Sequence, residues 1–361
     1  MALNGEPAPN LEIPPSRHVV DVSVINTTAD VRCPWGFFVK NPVPGHETLE
    51  CPSFAFLVQH PSGKRVLFDL GLRKDVEGFP PVIQQGMKGM HMKAEKDIAQ
   101  ILKEDGKFSL DEIDAIIWSH WHADHTGDPS TFPASTNLVV GPGFKEAILP
   151  GYPTNPYGLI LDSDYSGREL QEVDFSKSIQ IGEFRAFDYF NDGSFYLLDS
   201  PGHAVGHMSA LARTTPSTFI LMGGDGCHHS GSLRPNKHFP LPDEVSPSPF
   251  SIPPHSHGTV CPGAILEAIH PLRTRTQPYY GLLSEAQGRD VPAAEATIHK
   301  MISFDANDDV FVLTAHDRSV MDVIDFYPKS ANDWKEKGWK ETSRWRFLED
   351  FKSAAANIDT A

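Results

Sequence analysis

Four stretches of this 361-residue chain share one pattern: an apolar run of strand length, a turn, and then a histidine or an aspartate. They are IIWSHWHADH, LLDSPGH, FILMGGD and FVLTAHD, and they lie far apart along the chain. Short, continuous apolar runs bounded by turn residues are typical of buried strands. Because strand ends are rigid and the loops that follow them can converge, the pattern predicts polar side chains from distant segments meeting at one edge of a layered sheet.

The first stretch is the densest in histidine, with His120, His122, Asp124 and His125 inside six positions. Neutral imidazole and carboxylate are ligands that zinc and similar ions prefer. His120 and His122 are two residues apart, so an extended backbone turns them to the same side, whereas Asp124 and His125 come as the chain turns. One ion cannot easily reach all four side chains, so this spacing suggests two adjacent ions.

Each ion needs further ligands, and the other three strand ends supply His203, Asp225 and His316. Asp225 has two carboxylate oxygens and is therefore able to bridge the two ions. A single histidine or aspartate at a strand end is more often structural, but the cluster at 120–125 strengthens the metal interpretation of these three. The sequence thus predicts a site of seven side chains for two ions.

Composition limits the partners. The formal net charge is -16, which argues against nucleic acid and against an anionic membrane surface, because both are bound through Lys and Arg. We expect no signal peptide and no membrane span, since neither apolar pattern is present. The four cysteines are scattered without a CxxC pair, as in a reduced cytoplasmic protein. A small-molecule substrate is the expected partner, and the oligomeric state stays open.

The order of the predicted elements mixes hairpins with strands separated by helices, which favours a sheet sandwich flanked by helices. No internal linker is evident, so we expect a single domain over residues 1–361. Within it, residues 1–16 form a loose N-terminal segment, 230–262 an irregular insertion and 331–361 a helical C-terminal tail.

Three segments are candidates for the walls of an apolar substrate pocket, although each is also consistent with an ordinary surface loop. The loop at 76–94 contributes Phe79, Met87, Met90 and Met92, the insertion contributes Phe239, Phe250 and His257, and the third segment is NPYGLILDSDY at 155–165.

The motifs HWHADH, SPGHAVGH, GGD and LTAHD, in this order over about residues 50–320, resemble the metallo-β-lactamase superfamily. The similarity is closest to the dinuclear-zinc lactonases and to fungal lactonase and γ-lactamase-like members. It implies an α+β fold, the four-layer αββα sandwich, with two Zn²⁺ per chain. It also implies that Asp69, in VLFDLG, holds a ligand in place. By the same resemblance the first ion takes His120, His122 and His203, the second takes Asp124, His125 and His316, and Asp225 bridges them.

The sequence departs from this family at the residue three positions after the bridging aspartate. Lactonases that act on homoserine lactones carry a tyrosine there that is thought to polarise the substrate carbonyl, whereas this chain has His228, followed by His229. Either histidine is a candidate hydrogen-bond donor to substrate, with His228 the first choice. The alternative is a histidine that packs against the metal site.

The predicted function is a metal-dependent hydrolase that opens a small lactone or γ-lactam ring by attack of a metal-bridging hydroxide. Asp124 is the candidate proton carrier to the leaving group. A thioesterase of polyketide or glyoxalase type is the alternative, although no basic cluster for its substrates is evident. A phosphodiesterase is disfavoured by the negative charge. A mononuclear-iron persulfide dioxygenase would leave Asp124 and His316 without a role, and a structural zinc site would be rich in cysteine.

Overall fold

A computed structural model of the chain describes residues 5–250, 260–281, 283–285 and 289–358. The strands, in chain order, are β1 (Asp21–Asn26), β2 (Asp30–Pro34), β3 (Thr48–Cys51), β4 (Phe54–Gln59), β5 (Arg65–Phe68), β6 (His91–Lys93), β7 (Ala115–Ile117), β8 (Asn137–Val140), β9 (Leu170–Glu172), β10 (Ile179–Ile181), β11 (Phe184–Asp188), β12 (Phe195–Asp199), β13 (Met208–Arg213), β14 (Phe219–Met222), β15 (Glu244–Val245), β16 (Cys261–Pro262) and β17 (Val310–Leu313). The α-helices are α1 (Pro81–Gly86), α2 (Ile98–Asp105), α3 (Ala123–Thr126), α4 (Phe144–Ile148), α5 (Asp162–Tyr165), α6 (Gly263–Ile269), α7 (Val291–Asp305), α8 (Trp339–Ser343) and α9 (Lys352–Ala356).

Two six-stranded sheets form the framework. The first has the order β1-β4-β5-β7-β8-β9 and the second β10-β11-β12-β13-β14-β17. The hairpins β4–β5 and β13–β14 are antiparallel, whereas β5 with β7 and β14 with β17 run parallel. Smaller sheets, β3-β2-β6 and β15-β16, lie outside this framework.

Strand alternation divides the apolar residues into layers. In β4, Phe56 and Val58 belong to the core between the two sheets, whereas Leu57 belongs to the core under α2 and α4. In β13, Ala210 likewise faces the central core and Leu211 the core under α6 and α7. A period of two sends successive side chains to opposite faces of a sheet. The order of layers is therefore helix, sheet, sheet, helix, which confirms the predicted αββα sandwich.

The strand ends that carry the predicted ligands meet at one edge of this sandwich. The loop after β7 carries residues 120–125, and the loops after β12, β14 and β17 carry His203, Asp225 and His316. Backbone hydrogen bonds connect the two sheets here: Met208 N donates to Ser119 O at 2.8 Å, and Phe54 N donates to Ala315 O at 2.9 Å.

The chain termini and the insertion are packed against the sandwich. The described residues 5–16 have neither helix nor strand, yet they are held rather than loose, because Leu11 is buried and the Arg213 guanidinium donates to Pro14 O at 2.5 Å. The tail is a series of short helical turns. Its buried Lys340 donates three hydrogen bonds of 2.6–2.7 Å to backbone carbonyls around the end of α7. The described part of the 230–262 insertion is irregular apart from one helical turn and the pair β15–β16.

Across the described part of the chain, no helix has the length and apolar character needed to cross a membrane.

Candidate metal centre

All seven predicted ligands lie at the edge of the sandwich, where they form two groups. Within each group, the possible ligand atoms lie within 4.8 Å of one another. The first group is His120, His122, His203 and Asp225, and the second is Asp124, His125 and His316. Apart from Asp225, which the family resemblance assigns to both ions, the two groups contain the residues that the resemblance assigns to each ion.

In the first group, three imidazole nitrogens point at one another. His203 Nε2 lies 3.2 Å from His120 Nε2 and 2.8 Å from His122 Nδ1. Nitrogen ligands at 2.0–2.1 Å around a tetrahedral zinc are about 3.4 Å apart. The three rings therefore have the spacing of atoms that share one small cation.

Asp225 stands between the two groups and presents a different oxygen to each. Its Oδ1 lies 3.0 Å from both His125 Nε2 and His316 Nε2, and its Oδ2 lies 3.3 Å from His203 Nε2. The sequence argument for a bridging role rested on these two oxygens. In the structure each of these oxygens faces a different group of possible ligands.

Hydrogen bonds behind the centre fix the direction of the imidazoles. His125 Nδ1 lies 2.8 Å from Asp69 Oδ2, and His316 Nδ1 lies 2.7 Å from Pro52 O. Both partners only accept hydrogen bonds, so each Nδ1 carries a proton, and each ring in its neutral form turns the lone pair of Nε2 inward. Metal-binding histidines are oriented in this way by acceptors behind them.

Asp69 organises this side of the centre beyond its contact with His125. Its carboxylate accepts from Ser119 N at 2.6 Å and from Ser119 Oγ at 2.7 Å. The residue has a φ of 61°, a left-handed conformation that costs a non-glycine residue free energy. The surrounding hydrogen bonds hold Asp69 in this conformation. Its carboxylate therefore lies against His125, one of the predicted ligands.

Burial and charge give the centre its protonation pattern. Burial lowers the pKa of His120 and of His203 far below the ordinary value, and it lowers that of His122 to about 4. Burial acts in the same direction on His125, but the Asp225 and Asp69 carboxylates outweigh it and raise the pKa of His125 to about 10. Burial thus favours the neutral form of His120, His122 and His203, whereas the carboxylates favour the charged form of His125 until a cation takes the place of its proton.

The donor set fits divalent cations. A histidine that binds a metal is neutral, and His125 in that form keeps its proton on Nδ1 and has only a lone pair at Nε2, which faces another acceptor, Asp225 Oδ1. Both atoms are buried and lack a hydrogen-bond partner among the described residues. Two buried acceptors 3.0 Å apart are stabilised by a cation that both contact.

His207 is a residue that the sequence analysis did not single out. It is buried, its Nε2 accepts from Asp225 N at 3.0 Å, and its Nδ1 donates to Ser200 O at 2.8 Å. His207 therefore holds the backbone of the bridging aspartate. In the sequence, the one sign of His207 is its place as the second histidine of SPGHAVGH.

The structure separates His228 from His229. His228 Nε2 lies 3.2 Å from Asp225 Oδ2, and its ring stacks on that of His316 at 5.6 Å. His229 points away from the centre, and its Nε2 contacts Asp350 Oδ2 at 3.1 Å. Of the two, only His228 lies at the centre, and its role as a donor to substrate stays a prediction.

A second group of possible ligands, His46, His229 and Asp350, lies under the tail. His229 Nδ1 accepts a hydrogen bond from Gly231 N at 2.9 Å. A neutral imidazole that accepts at Nδ1 carries its proton on Nε2, where it donates to Asp350 and has no lone pair for a metal. This group is a hydrogen-bonded support for the tail.

An apolar cleft of about 270 Å³ opens over the metal centre. Met87, Met90 and Met92 line it, as predicted, whereas Phe79 is buried beside Leu72 and Ala94. The segment 155–165 contributes Leu159. Wall residues that sequence reasoning did not identify are Val31, Phe37, Phe38, Val82, Ile83 and Trp121.

The insertion was wrongly predicted as a wall, as far as the structure describes it. Phe250 is buried in the core beneath the second sheet, and the Phe239 ring packs under the Arg344 guanidinium at 4.1 Å. Both aromatic side chains stabilise the insertion and the tail instead. His257 lies outside the described residues.

The chain is similar to several known proteins. Residues 48–212 match the family model described as Metallo-beta-lactamase superfamily. Gamma-lactamase FDB1 of Fusarium pseudograminearum (strain CS3096) is 44% identical over 356 residues, which cover 95% of this chain and 85% of that protein. Gamma-lactamase MBL2 of Gibberella moniliformis (strain M3125 / FGSC 7600) is 49% identical over 245 residues, 66% of this chain and 100% of that protein.

A solved structure of an N-acyl homoserine lactone hydrolase, with the product N-hexanoyl-L-homoserine at its catalytic metal center, has the same fold. The TM-score is 0.57 at 17% sequence identity, over 86% of this chain and 99% of that chain. Sequence, fold and comparisons lead to one conclusion: the chain is a member of the metallo-β-lactamase superfamily.

Proposed function

We propose that this chain is a hydrolase that uses two zinc ions to open a lactone or γ-lactam ring. The observation that carries the proposal is Asp225, whose two carboxylate oxygens face two separate groups of ligands. The relatives named gamma-lactamase, 44% and 49% identical to this chain, support the substrate class. In this proposal His120, His122 and His203 hold one ion, Asp124, His125 and His316 hold the other, and Asp225 contacts both.

A bound pair of zinc ions supplies an ionised water near neutral pH and an electrophile for the substrate carbonyl. Asp124 reaches the cleft, with a side chain that is 17% exposed, and its backbone carbonyl accepts from Ser53 Oγ. This position lets Asp124 carry a proton to the atom that leaves when the ring opens.

The cleft supports a neutral ring with an apolar or aromatic substituent. Its walls are methionine, aromatic and aliphatic side chains, with the polar groups confined to the floor at the metal centre. Such a surface gains free energy from burying apolar area, about 25 cal/mol per Å², whereas a charged substituent placed against it would lose hydration.

The test combines metal analysis with a substrate panel. We expect two zinc ions per chain and hydrolysis of an aryl-fused γ-lactam or lactone in preference to a thioester or a phosphodiester. His122→Ala removes a ligand and should lose both metal and activity. Cleavage of only the thioester or the phosphodiester would overturn the substrate assignment. One iron per chain with oxygen-dependent activity would indicate the dioxygenase instead.

A further inference from the structure

Arg289 is a buried cation that has no role in the proposed reaction as described above. Its side chain is 9% exposed, and its guanidinium packs against the Phe38 ring at 5.5 Å. Nη1 makes one long hydrogen bond, 3.4 Å, to Phe38 O. Within the described ranges, Nε and Nη2 have no hydrogen-bond partner and no carboxylate forms an ion pair with this arginine.

Arg289 lines a small chamber beside the metal centre. The chamber has a volume of about 10 Å³, and its walls include His203, Asp225 and His228. This is the space of about one water molecule. Phe38, His203 and Asp225 also line the apolar cleft, so the chamber adjoins the place where substrate would lie.

A second unpartnered donor belongs to His203, which also lines the chamber. His203 turns Nε2 toward His120 and His122, which leaves the proton of the neutral ring on Nδ1. That Nδ1 is buried and has no hydrogen-bond partner in the described part of the chain. The residues around the chamber therefore offer several N–H donors with nothing to receive them.

Asp225 acts on the Arg289 guanidinium through space, but among the described residues the two form no ion pair. Its carboxylate contacts the imidazoles of His125, His203, His228 and His316, and in the proposed enzyme it also binds both ions. A buried charge without a partner is strongly destabilising, and buried polar groups are satisfied by hydrogen bonds in nearly all proteins. An anionic oxygen in the chamber would satisfy both requirements.

We propose that Arg289, together with His203 Nδ1, forms an anion subsite that receives one carboxylate oxygen of the substrate or product. This inference rests on the proposed ring-opening function. A guanidinium is the side chain best suited to carboxylate recognition. The small chamber admits a single oxygen, while the rest of the molecule lies in the apolar cleft.

The reaction itself supplies such an oxygen. When a lactone or lactam opens, the acyl C–O or C–N bond breaks and the oxygen of water bonds to the carbonyl carbon. One proton of that water passes to the leaving oxygen or nitrogen, and the new carboxylic acid ionises. A carboxylate already present on the substrate is the other source of the same chemistry.

Calorimetry on the zinc-loaded protein tests the subsite without turnover. The probes are 2-(hydroxymethyl)benzoate, which is the product of phthalide opening, and the neutral 2-(hydroxymethyl)benzamide. We expect Arg289→Met to weaken benzoate binding about ten- to a hundredfold, the range of a charge-assisted hydrogen bond, and to leave benzamide binding and zinc content unchanged. Arg185→Met is the control, because Arg185 is an exposed arginine paired with Asp199.

Arg289→Lys gives a second reading that does not depend on the folding of the methionine variant. Lysine keeps the charge but lacks the planar N–H groups of the guanidinium. The variant should therefore bind 2-(hydroxymethyl)benzoate more weakly than wild type does and bind the benzamide equally well. Equal effects on both probes, or no effect on either, would overturn the subsite. Because binding is measured directly, this outcome is distinct from a failure to open any ring.

Kinetics separate the two sources of the carboxylate. If Arg289 receives the newly formed group, Arg289→Met lowers kcat for phthalide and weakens product inhibition. If it recognises a substituent, the same change raises KM for a carboxyphthalide and leaves phthalide unaffected. A variant with wild-type constants for both substrates contradicts the proposal.

Discussion

At the scale of single residues, the position of Asp225 depends on His207 behind it. The imidazole accepts the Asp225 backbone N–H at Nε2 and donates to Ser200 O at Nδ1. Gly224, which has a φ of 51°, passes close to this ring, since a Cβ there would lie 3.0 Å from His207 Nε2. The loop before the bridging carboxylate is thus shaped around a histidine that binds no metal in our scheme.

His207→Ala is therefore expected to weaken zinc binding about 10- to 100-fold, the usual effect of losing a group that orients a ligand. The buried Asp225 N–H also loses its partner, which costs about 1–3 kcal/mol of stability. Competition with a chelator measures the first effect and urea unfolding the second. His270→Ala is the control, because His270 is also buried and bonds a backbone carbonyl, Gln277 O, away from the centre. Equal zinc affinity in both variants would show that His207 does not position Asp225.

At the scale of secondary structure, the elements that carry the ligands are the predictable ones. The apolar strands β7, β12, β14 and β17 are marked by their own local sequence, and each is followed directly by its histidine or aspartate. The pairs β4–β5 and β13–β14 are hairpins, whose order in the sheet follows from chain order alone.

The parts that sequence could not predict depend on contacts between distant segments. The sheet β3-β2-β6 has strands of three to five residues, and β6 pairs with β2 about sixty residues away. Phe38 and Trp121 become cleft walls only after the fold brings them together. Arg289 and His207 are single residues without a periodic pattern, so nothing local distinguishes them from structural residues.

The tail packs against the buried His46 and His229, and its half-buried Asp350 contacts His229, which makes its packing sensitive to acid. Burial, with a smaller effect from His229, lowers the pKa of His46 to about 4, against the opposing charges of Asp350 and Glu47. An unfolded chain binds this proton below about 6.5, whereas the folded chain excludes it until about pH 4. The stability contributed by His46 is therefore complete above pH 6.5 and is lost as the pH falls from 6.5 to 4.

Wild type is accordingly expected to lose about 2 kcal/mol of unfolding free energy between pH 7 and pH 5 on account of His46, since one pKa unit corresponds to 1.36 kcal/mol. His46→Gln removes this part of the loss and should have a flatter profile in urea unfolding. His299→Gln, an exposed position on α7, is the matched control and should keep the wild-type profile. Parallel profiles for wild type and His46→Gln would contradict this account of the tail.

At the scale of the whole molecule, we propose that the chain folds as one domain in which the metal centre connects the two sheets. The ligand-bearing loops come from both sheets, so ions bound there would connect the two halves of the sandwich. The tail and the described N-terminal segment pack on the same body through Lys340 and Arg213. Metal binding and folding should therefore be coupled.

Removal of the metal by a chelator is expected to lower Tm. An ion present at 1,000 times its Kd contributes about 4.1 kcal/mol, which corresponds to about 5 °C per ion for a chain of this length. Differential scanning calorimetry before and after chelation measures the loss, and added zinc should restore it. An unchanged Tm would mean that the ions do not connect the sheets.

The most direct test of the central claim is anomalous X-ray scattering from crystals of the zinc-loaded protein at the zinc absorption edge. We predict two peaks per chain, one in contact with His120, His122 and His203 and the other with Asp124, His125 and His316, with one Asp225 oxygen facing each. A single peak that leaves either group without metal, or peaks away from these side chains, would contradict the account.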